Sequence, residues 1–383
     1  MIPLTYTIRN LFRKPLQSFQ LIVGSSLVVL LVMLAVAIND SMQRTLSHTG
    51  SEKNIILLGA GSEESIERSE VTPKVAEIVS SSLSGIKQVI NQAAISPEVH
   101  FNGMVKCSED HEAQSLIRGI QHQAFWVHDK VRIIEGSYPR SGEVIIGRLA
   151  YQKLGLNKED LGIGQSIEFN GELLKVVGIF DAIGTVMEAE IWMPLQDLMT
   201  FTQRDSLSCV VFAVESSESF DDAEAFVKTR LDLELVALKE SDYYQKLSTF
   251  YSPIRWMAWI SAILISSGAF FGGLNTLYAA LAARIREFGT LQAIGFSRKA
   301  ILFSLFQEGI SIGIFASIVS ITFGLLFIQG YTFPFSIGVF TLDINNTVSS
   351  IGLLVGIILG IIGIIPPAWK SLRPSLPQTL RSS

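Results

Sequence analysis

Histidine and cysteine are the residues of this chain best suited to metal or nucleophile chemistry. His48, His100, His111, His122, His128, Cys107 and Cys209 all fall within residues 39–255. Zinc sites carry such ligands at short fixed spacings. No His-x-x-x-His pair and no zinc-spaced Cys/His set occurs here, so no metal site is expected. His122 and His128, near Asp110 and Glu112, could be imagined as a site, but surface positions are the simpler reading. The two cysteines are too few for a disulfide framework, and whether they pair in an oxidising compartment stays open. Gly59-Ala60-Gly61-Ser62 is glycine-rich but lacks a lysine, and no G-x-x-x-x-G-K-[ST] phosphate loop occurs. A chain without that loop is not expected to bind or hydrolyse ATP alone. Neither a nucleophile elbow nor a convincing acid pair is read, so no catalytic residue is expected and the chain is taken as a non-enzyme with no cofactor of its own.

Glu308 stands apart from this set. It is the only charged residue between Ala300 and Leu342. An ionisable group in an apolar run is a functional candidate by default. It follows Lys299 by nine residues, which places it a few helical turns inside the run, near one membrane face. A structural or coupling role fits that depth better than contact with cargo.

Just before it lies a charged island, residues 284–299, between two long apolar runs. Trp256 to Ala283 holds no charged residue. Each run exceeds the roughly 20 residues of a spanning helix. Within the island, Ile285, Phe288, Leu291 and Ile294 recur every third residue, which predicts one short helix with a broad apolar stripe. Gly295 suits its C-cap, and Ser297 can cap the next helix.

The order Asn275 near a span end, Arg286-Glu287-Phe288-Gly289, Ala293-Ile294-Gly295, then Glu308 with glycines after it carries a resemblance. Asn275 to Gly324 resembles the signature region of the FtsX-like permease family of ABC transporters, which includes MacB-type exporters and lipoprotein-release permeases. In that family the island is the coupling helix that docks on a separate or fused ATPase. The resemblance implies ATPase coupling through Arg286, Glu287, Phe288, Gly289, Leu291 and Gly295. Phe288 and Leu291 would supply apolar contact, Arg286 and Glu287 charge pairing, and the glycines close approach. ATP and magnesium would be bound by the partner ATPase. Within 39–255, Gly136-Ser137-Tyr138-Pro139, Gly142 to Gly147, Leu154-Gly155-Leu156, Gly164-Gln165 and Val176 to Ile179 also follow the order of the family's periplasmic domain, with Gln165 where the family has an acid.

Charge sets the expected orientation. Residues 39–255 carry 20 basic and 32 acidic side chains, a net −12. Residues 1–18 and 367–383 each carry three basic residues and no acid, and 284–299 carries four basic and one acidic. By the positive-inside rule both termini and the island are cytoplasmic and 39–255 lies outside. The acidic balance of the exposed part disfavours nucleic acid.

The elements follow. Leu4, Ile8, Leu11 and Phe12 lie on one helical face flanked by Arg9, Arg13 and Lys14, which predicts an amphipathic interfacial helix over 1–18. Spans are expected at 19–38, 256–283, 300–328 and 346–366, the first ended outside by Asn39 and Asp40, the second extended as a stalk, the fourth stopped by Pro366-Pro367. A short outer loop, 329–345, and a cytoplasmic tail, 367–383, complete the spans. Residues 39–255 mix strands (54–58, 87–95, 99–105, 142–146, 209–214), helices (73–83, 148–154, 195–201, 220–231) and an Asn170-Gly171 hairpin, with a turn at Ile191 to Pro194. The fold class is therefore a membrane protein of four transmembrane α-helices with a large α+β extracytoplasmic domain inserted between the first and second spans.

The function this implies is the permease subunit of an ABC transporter in a bacterial inner membrane. It would work by mechanotransmission, driven by an ABC ATPase, as a homodimer or a heterodimer with a similar permease, among membrane lipids. A periplasmic adaptor of the membrane-fusion type is a further implied partner. Lipoprotein or lipid extraction on the same frame is an alternative, as is FtsX-like regulation of a cell-wall hydrolase without transport.

Overall fold

The structure is a computed structural model and describes residues 15–108, 111–216 and 219–372. The expected interfacial helix rests on Leu4, Ile8, Leu11 and Phe12, which lie outside the described residues, as do Asp110 and the tail from Arg373. The chain divides into two compact units. One joins Met1–Asp40, Pro253–Tyr331 and Leu342–Ser383; the other joins Ser41–Ser252 and Thr332–Thr341.

The first unit is helical. Among the described residues, four helices are long and apolar enough to cross a membrane: α1 (Pro15–Thr49), α8 (Ser252–Ala282), α10 (Arg298–Phe323, continued by a π-turn to Ile328) and α11 (Asn346–Leu372). The short helix α9 (Ile285–Ala293) joins α8 to α10. Glycine sets the packing of α10 on α11. A Cβ at Gly309 would strike the Gly360 carbonyl oxygen, and one at Gly313 the Gly356 carbonyl oxygen. Two small residues four apart on each helix let the backbones touch, which is how apolar helices gain packing where lipid offers no hydrophobic drive. Ser317 Oγ adds a bond to Gly352 O at 3.2 Å, and Ser320 Oγ donates to Ser26 O on α1 at 2.7 Å.

Two helix ends differ from expectation. Asn39 and Asp40 do not end α1, which continues to Thr49 because Met42 and Leu46, one turn apart, enter the core of the second unit at 3% and 0% exposure. Pro366 and Pro367 do not stop α11 either. Each lacks the N–H that would bond the carbonyl four residues back. Ala368 just beyond them is fully buried against Phe288, Ile301 and Leu305, and that packing holds the chain helical past the break.

The second unit is built on a ten-stranded sheet. Its strands are β1 (Asn54–Gly59), β4 (Ile95–Ser108), β5 (His111–Ile120), β6 (Arg132–Gly136), β7 (Glu143–Gly147), β8 (Ser166–Phe169), β9 (Glu172–Asp181), β10 (Ile191–Pro194), β11 (Cys209–Ala213) and β12 (Leu235–Lys239). A separate hairpin, β2 (Gln88–Val89) and β3 (Gln92–Ala93), precedes β4. The expected strand over 87–95 is thus this small hairpin and the start of β4. The expected turn at Ile191 to Pro194 is β10, a strand paired in parallel with β5.

The pairings close on themselves. β4, β5, β10, β7, β9 and β8 form a ring of six strands, because β8 pairs both β9 and β4. Outside the ring, β11, β1 and β12 extend from β4 as an open wing. β4 belongs to both parts. Residues 95–98 pair β11, and from Val99 onward the strand pairs β5. Asn170 and Gly171 turn β8 into β9 with φ of 49° and 85°, the left-handed pair that a two-residue hairpin needs. Short helices cover the sheet: α2 (Val75–Ser82), α3 (Ala124–Val127), α4 (Ala150–Lys153), α5 (Leu195–Thr202), α6 (Ser219–Thr229) and α7 (Glu240–Phe250).

The segment between α10 and α11 is more than a loop. β13 (Thr332–Phe335) and β14 (Gly338–Thr341) pair as a hairpin that belongs to the sheet unit. Phe340 is fully buried in a core shared with Met42, Leu46 and Val186. Lys153 Nζ donates to the carbonyls of Phe335 and Ser336.

Candidate coupling surface

Helix α9 is held from one side. Phe288 is 2% exposed and packs with Leu281, Ile301, Leu305, Ile364 and Ala368, and Leu291 and Phe296 lie against the same cluster. This placement corrects the expectation that Phe288 faces a partner, whereas Leu291 is only half-buried against the cluster. The reason is the spacing. A step of three residues turns a helix about 60° short of a full turn, so a stripe at every third residue drifts around it. Phe288 ends inside and Ile294, two steps on, ends outside at 71% exposure. Gly289 is buried as well.

Charge fixes the start of the helix. Arg284 donates through Nη1 to both Glu308 oxygens, at 3.1 and 3.0 Å, and through Nε to Glu287 at 3.3 Å. Its guanidinium also lies 5.3 Å from the Phe288 ring centroid. Glu308 is therefore an ion-pair partner that ties α10 to the beginning of α9. Gly295, at φ 106°, makes the turn that only glycine takes without strain, and Ser297 caps α10 through the Ala300 N–H. What remains outward is Arg286, Thr290, Ala293, Ile294 and Gly295, with Glu287 at the edge.

Gly309-Ile310-Ser311-Ile312-Gly313 has the letters of a nucleophile elbow, which the expectation of none overlooked. It lies in mid-helix, where Ser311 Oγ donates to Gln307 O at 2.8 Å. The strand-to-helix turn that exposes such a serine is not there.

In the sheet unit, ionisable groups gather in the interior. His100 and His128 are 5% and 4% exposed, so His128 is corrected from a surface position to a core one. Register explains the cluster. Glu98 and His100 are two apart on β4 and share a face; Glu98 lies opposite Cys209 on β11, and His100 opposite Arg118 on β5. Arg118 bonds Glu98 at 2.8 Å and grips Glu190 through Nε and Nη2, both at 2.8 Å. His100 and His128 reach the two Glu98 oxygens at 3.0 and 2.7 Å. Trp192 Nε1 donates to Glu190 at 2.7 Å, and Asn54 Nδ2 to Glu240 at 2.9 Å. The network lies where β4 passes from the wing to the ring.

Burial and charge compete at each group. Burial would raise the Glu98 carboxyl, but the His128 and Arg118 charges and two imidazole hydrogen bonds hold it well below the usual range. Burial opposes the charge on His128, yet Glu98 and then Glu240 raise it above its ordinary value. Burial and Arg118 keep His100 low. Burial raises Glu240. The sequence signal was Glu98-x-His100 in a strand pattern, legible only once its facing strands are known.

Glu98, His100 and Cys209 bring ligand atoms within 4.8 Å of one another. They do not suit a cation as they stand. The Arg118 guanidinium already occupies the Glu98 oxygen that His100 reaches, and burial with the Glu98 charge pushes the Cys209 thiol well up, away from the thiolate a metal needs. Cys107 and Cys209 are both free thiols.

The MacB-like periplasmic core domain profile matches residues 18–230, more than half of the chain. The FtsX-like permease C-terminal profile matches residues 259–375. The chain belongs to the FtsX-like, MacB-type family of ABC transporter permeases.

Among the solved structures similar to the permease are two extracytoplasmic domains. The periplasmic region of MacB from Actinobacillus actinomycetemcomitans is 12% identical, with a TM-score of 0.41, over 54% of this chain and 97% of that one. The extracellular domain of the noncanonic ABC-type transporter YknZ from Gram-positive bacteria is 15% identical, with a TM-score of 0.38, over 48% of this chain and 99% of that one. No curated protein matches the chain. Membership makes the permease a transmembrane subunit of an ABC transporter, with an extracytoplasmic domain and an ABC ATPase as partner. Such subunits are generally non-catalytic.

Proposed function

We propose that the permease converts ATP hydrolysis on a separate ATPase into movement of its sheet unit, and that this movement drives export of a substrate. The observation that carries the reading is the two-sided character of α9. Phe288 and Arg284 lock one side to α8, α10 and α11, while Arg286, Thr290, Ala293 and Ile294 face outward. A push on the outer side is thereby passed to the spans. The ATPase groove takes Ile294 as apolar anchor and Arg286 as charge partner. The two-fold assembly with a second permease and the engagement of a periplasmic adaptor belong to the same reading.

Pull-down of the ATPase by the permease in detergent tests it. Ile294→Asp and Arg286→Glu leave the permease melting as wild type and reduce ATPase capture about tenfold or more, as loss of an interface anchor does. Phe288→Ala behaves differently. It removes a core side chain, costs about 3 kcal/mol or more and lowers the melting temperature first. Full capture by well-folded Ile294→Asp and Arg286→Glu variants would refute α9 as the coupling surface.

A further inference from the structure

The sheet unit carries an open groove of about 1020 Å³ on the side of β4 away from the ionic network. Strand alternation separates the two. Glu98 and His100 point into the network, while Ile95 and Pro97 line the groove. One wall is α2 with the β2–β3 hairpin, beside the wing. The other is α5 with residues 121–123, beside the ring. The groove therefore spans the same junction that the network braces from behind.

Its lining has an uncommon chemistry. Six carboxamides reach it: Gln88, Asn91, Gln92, Gln121, Gln123 and Gln196. Gln88 Nε2 reaches back to Ile86 O at 3.4 Å; among the described residues the other five give no side-chain bond to the protein. Between them lie Ile95, Leu195, Met199 and Leu207, and among the described residues Glu77 is the one charge. At the tip of the hairpin, Ile90 is 87% exposed and holds φ at 52°, beside Asn91 at 59°. A β-branched residue in the left-handed region is strained, and here the strain presents an apolar side chain beside the amides.

We propose that this groove binds an extended peptide segment, taken from a polypeptide outside this chain. A side-chain carboxamide carries one carbonyl acceptor and an NH₂ donor, the same pair that each peptide group offers. Amides on both walls satisfy the backbone of an extended segment without reading its sequence, and the aliphatic floor takes its apolar side chains. Glu77 selects a lysine, an arginine or a free amino end. The volume is at the top of the range for small-molecule sites, enough for several residues. An oligosaccharide fits less well, since among the described residues the lining has no aromatic ring on which a sugar face can stack. The cargo class this names rests on the export reading above; the binding does not.

The test uses the full permease in lipid nanodiscs, without an ATPase. The probe is a fluorescein-labelled pool of acetylated, amidated dodecapeptides randomised over Ala, Ser, Leu, Gln and Lys. Fluorescence anisotropy rises saturably below about 1 mM, the weak end of specific affinity. Gln92→Leu with Gln196→Leu weakens binding about tenfold or more, since bound peptide groups lose their partners. Glu77→Gln removes the preference for lysine-containing members and leaves the rest. Gln165→Leu, an exposed control outside the groove, changes nothing. Thermal melting establishes that each variant is folded. No saturable signal, equal binding by the folded double variant, or displacement by maltohexaose or chitohexaose but not by unlabelled peptide would each overturn the proposal. Binding that persists while an assembled ATPase complex fails to release peptide on ATP addition upholds the groove and removes the export reading instead.

Discussion

Arg118 balances the interior of the sheet unit. It faces Glu98 and Glu190, with His128 as the second positive charge on Glu98. Arg118→Leu leaves two carboxylates buried without their partner. Breaking a buried pair in this way costs about 3–5 kcal/mol, which thermal denaturation of the purified permease would register as a large drop in melting temperature or a failure to fold. The same cluster sets a pH window. His128 and Glu240 have raised values, so they stabilise while protonated and lose that contribution as pH rises through those values. Glu98, Glu190 and His100 have lowered values, so their contribution is lost as pH falls. Arg118 faces these groups throughout, and Tyr244 and Cys209 stay neutral beside them. Above the ordinary imidazole value stability therefore declines with rising pH as His128 gives up its contribution, and below the usual carboxylate range it declines as Glu98 and Glu190 lose theirs; between the two, Glu240 and His100 act in opposite directions. His128→Gln should remove the decline on the alkaline side. An imidazole signal for His128 that titrates at or below its ordinary value of about 6.5 would contradict this.

At the scale of elements, α10 and α11 depend on having no side chain at their contact. Gly313→Leu drives a side chain into the Gly356 carbonyl, and Gly309→Leu does the same at Gly360. Each should separate the helices and lower the melting temperature of detergent-solubilised permease. Gly268→Leu, where a Cβ meets nothing within 4 Å, should not. Equal effects at all three positions would mean that generic helix propensity and not helix contact is being read. The sequence named the glycines after Glu308 as part of a motif. Their use appears only when Gly309 and Gly313 are seen against Gly360 and Gly356, some fifty residues away.

At the scale of the whole molecule, the charge asymmetry still decides which side of the membrane each unit faces. Glu64 is exposed in the sheet unit. Cys107 is half-buried, so it is first replaced by serine. Glu64→Cys should then label with a membrane-impermeant maleimide on intact cells from which any outer membrane has been stripped. A cysteine at Arg286 should label only after the inner membrane is permeabilised. The reverse pattern would invert the topology, and with it the placing of α9 against a cytoplasmic ATPase.

Local chemistry was legible in the sequence wherever one run of residues is enough to determine it. Long apolar runs are bound to be helices that leave water, and four were read, though α1 runs on past Asn39 and Asp40 to Thr49 and α11 past Pro366 and Pro367 to Leu372. Asn170-Gly171 demanded its hairpin, and Gly295 and Ser297 closed one helix and opened the next. What failed are features that depend on distant partners. Pro366 and Pro367 should end a helix by backbone chemistry, yet Ala368 packing beyond them keeps it going. Phe288 looked like an anchor for another protein until Ile301, Leu305 and Ile364 were found around it. His100, His128 and Arg118 lie on separate strands, and no spacing along the chain announces that they meet at Glu98. Hydrophobic period and turn chemistry act over a few residues and so are written in order. Burial, ion pairing and the groove are set by which strands become neighbours, and that only the tertiary structure decides.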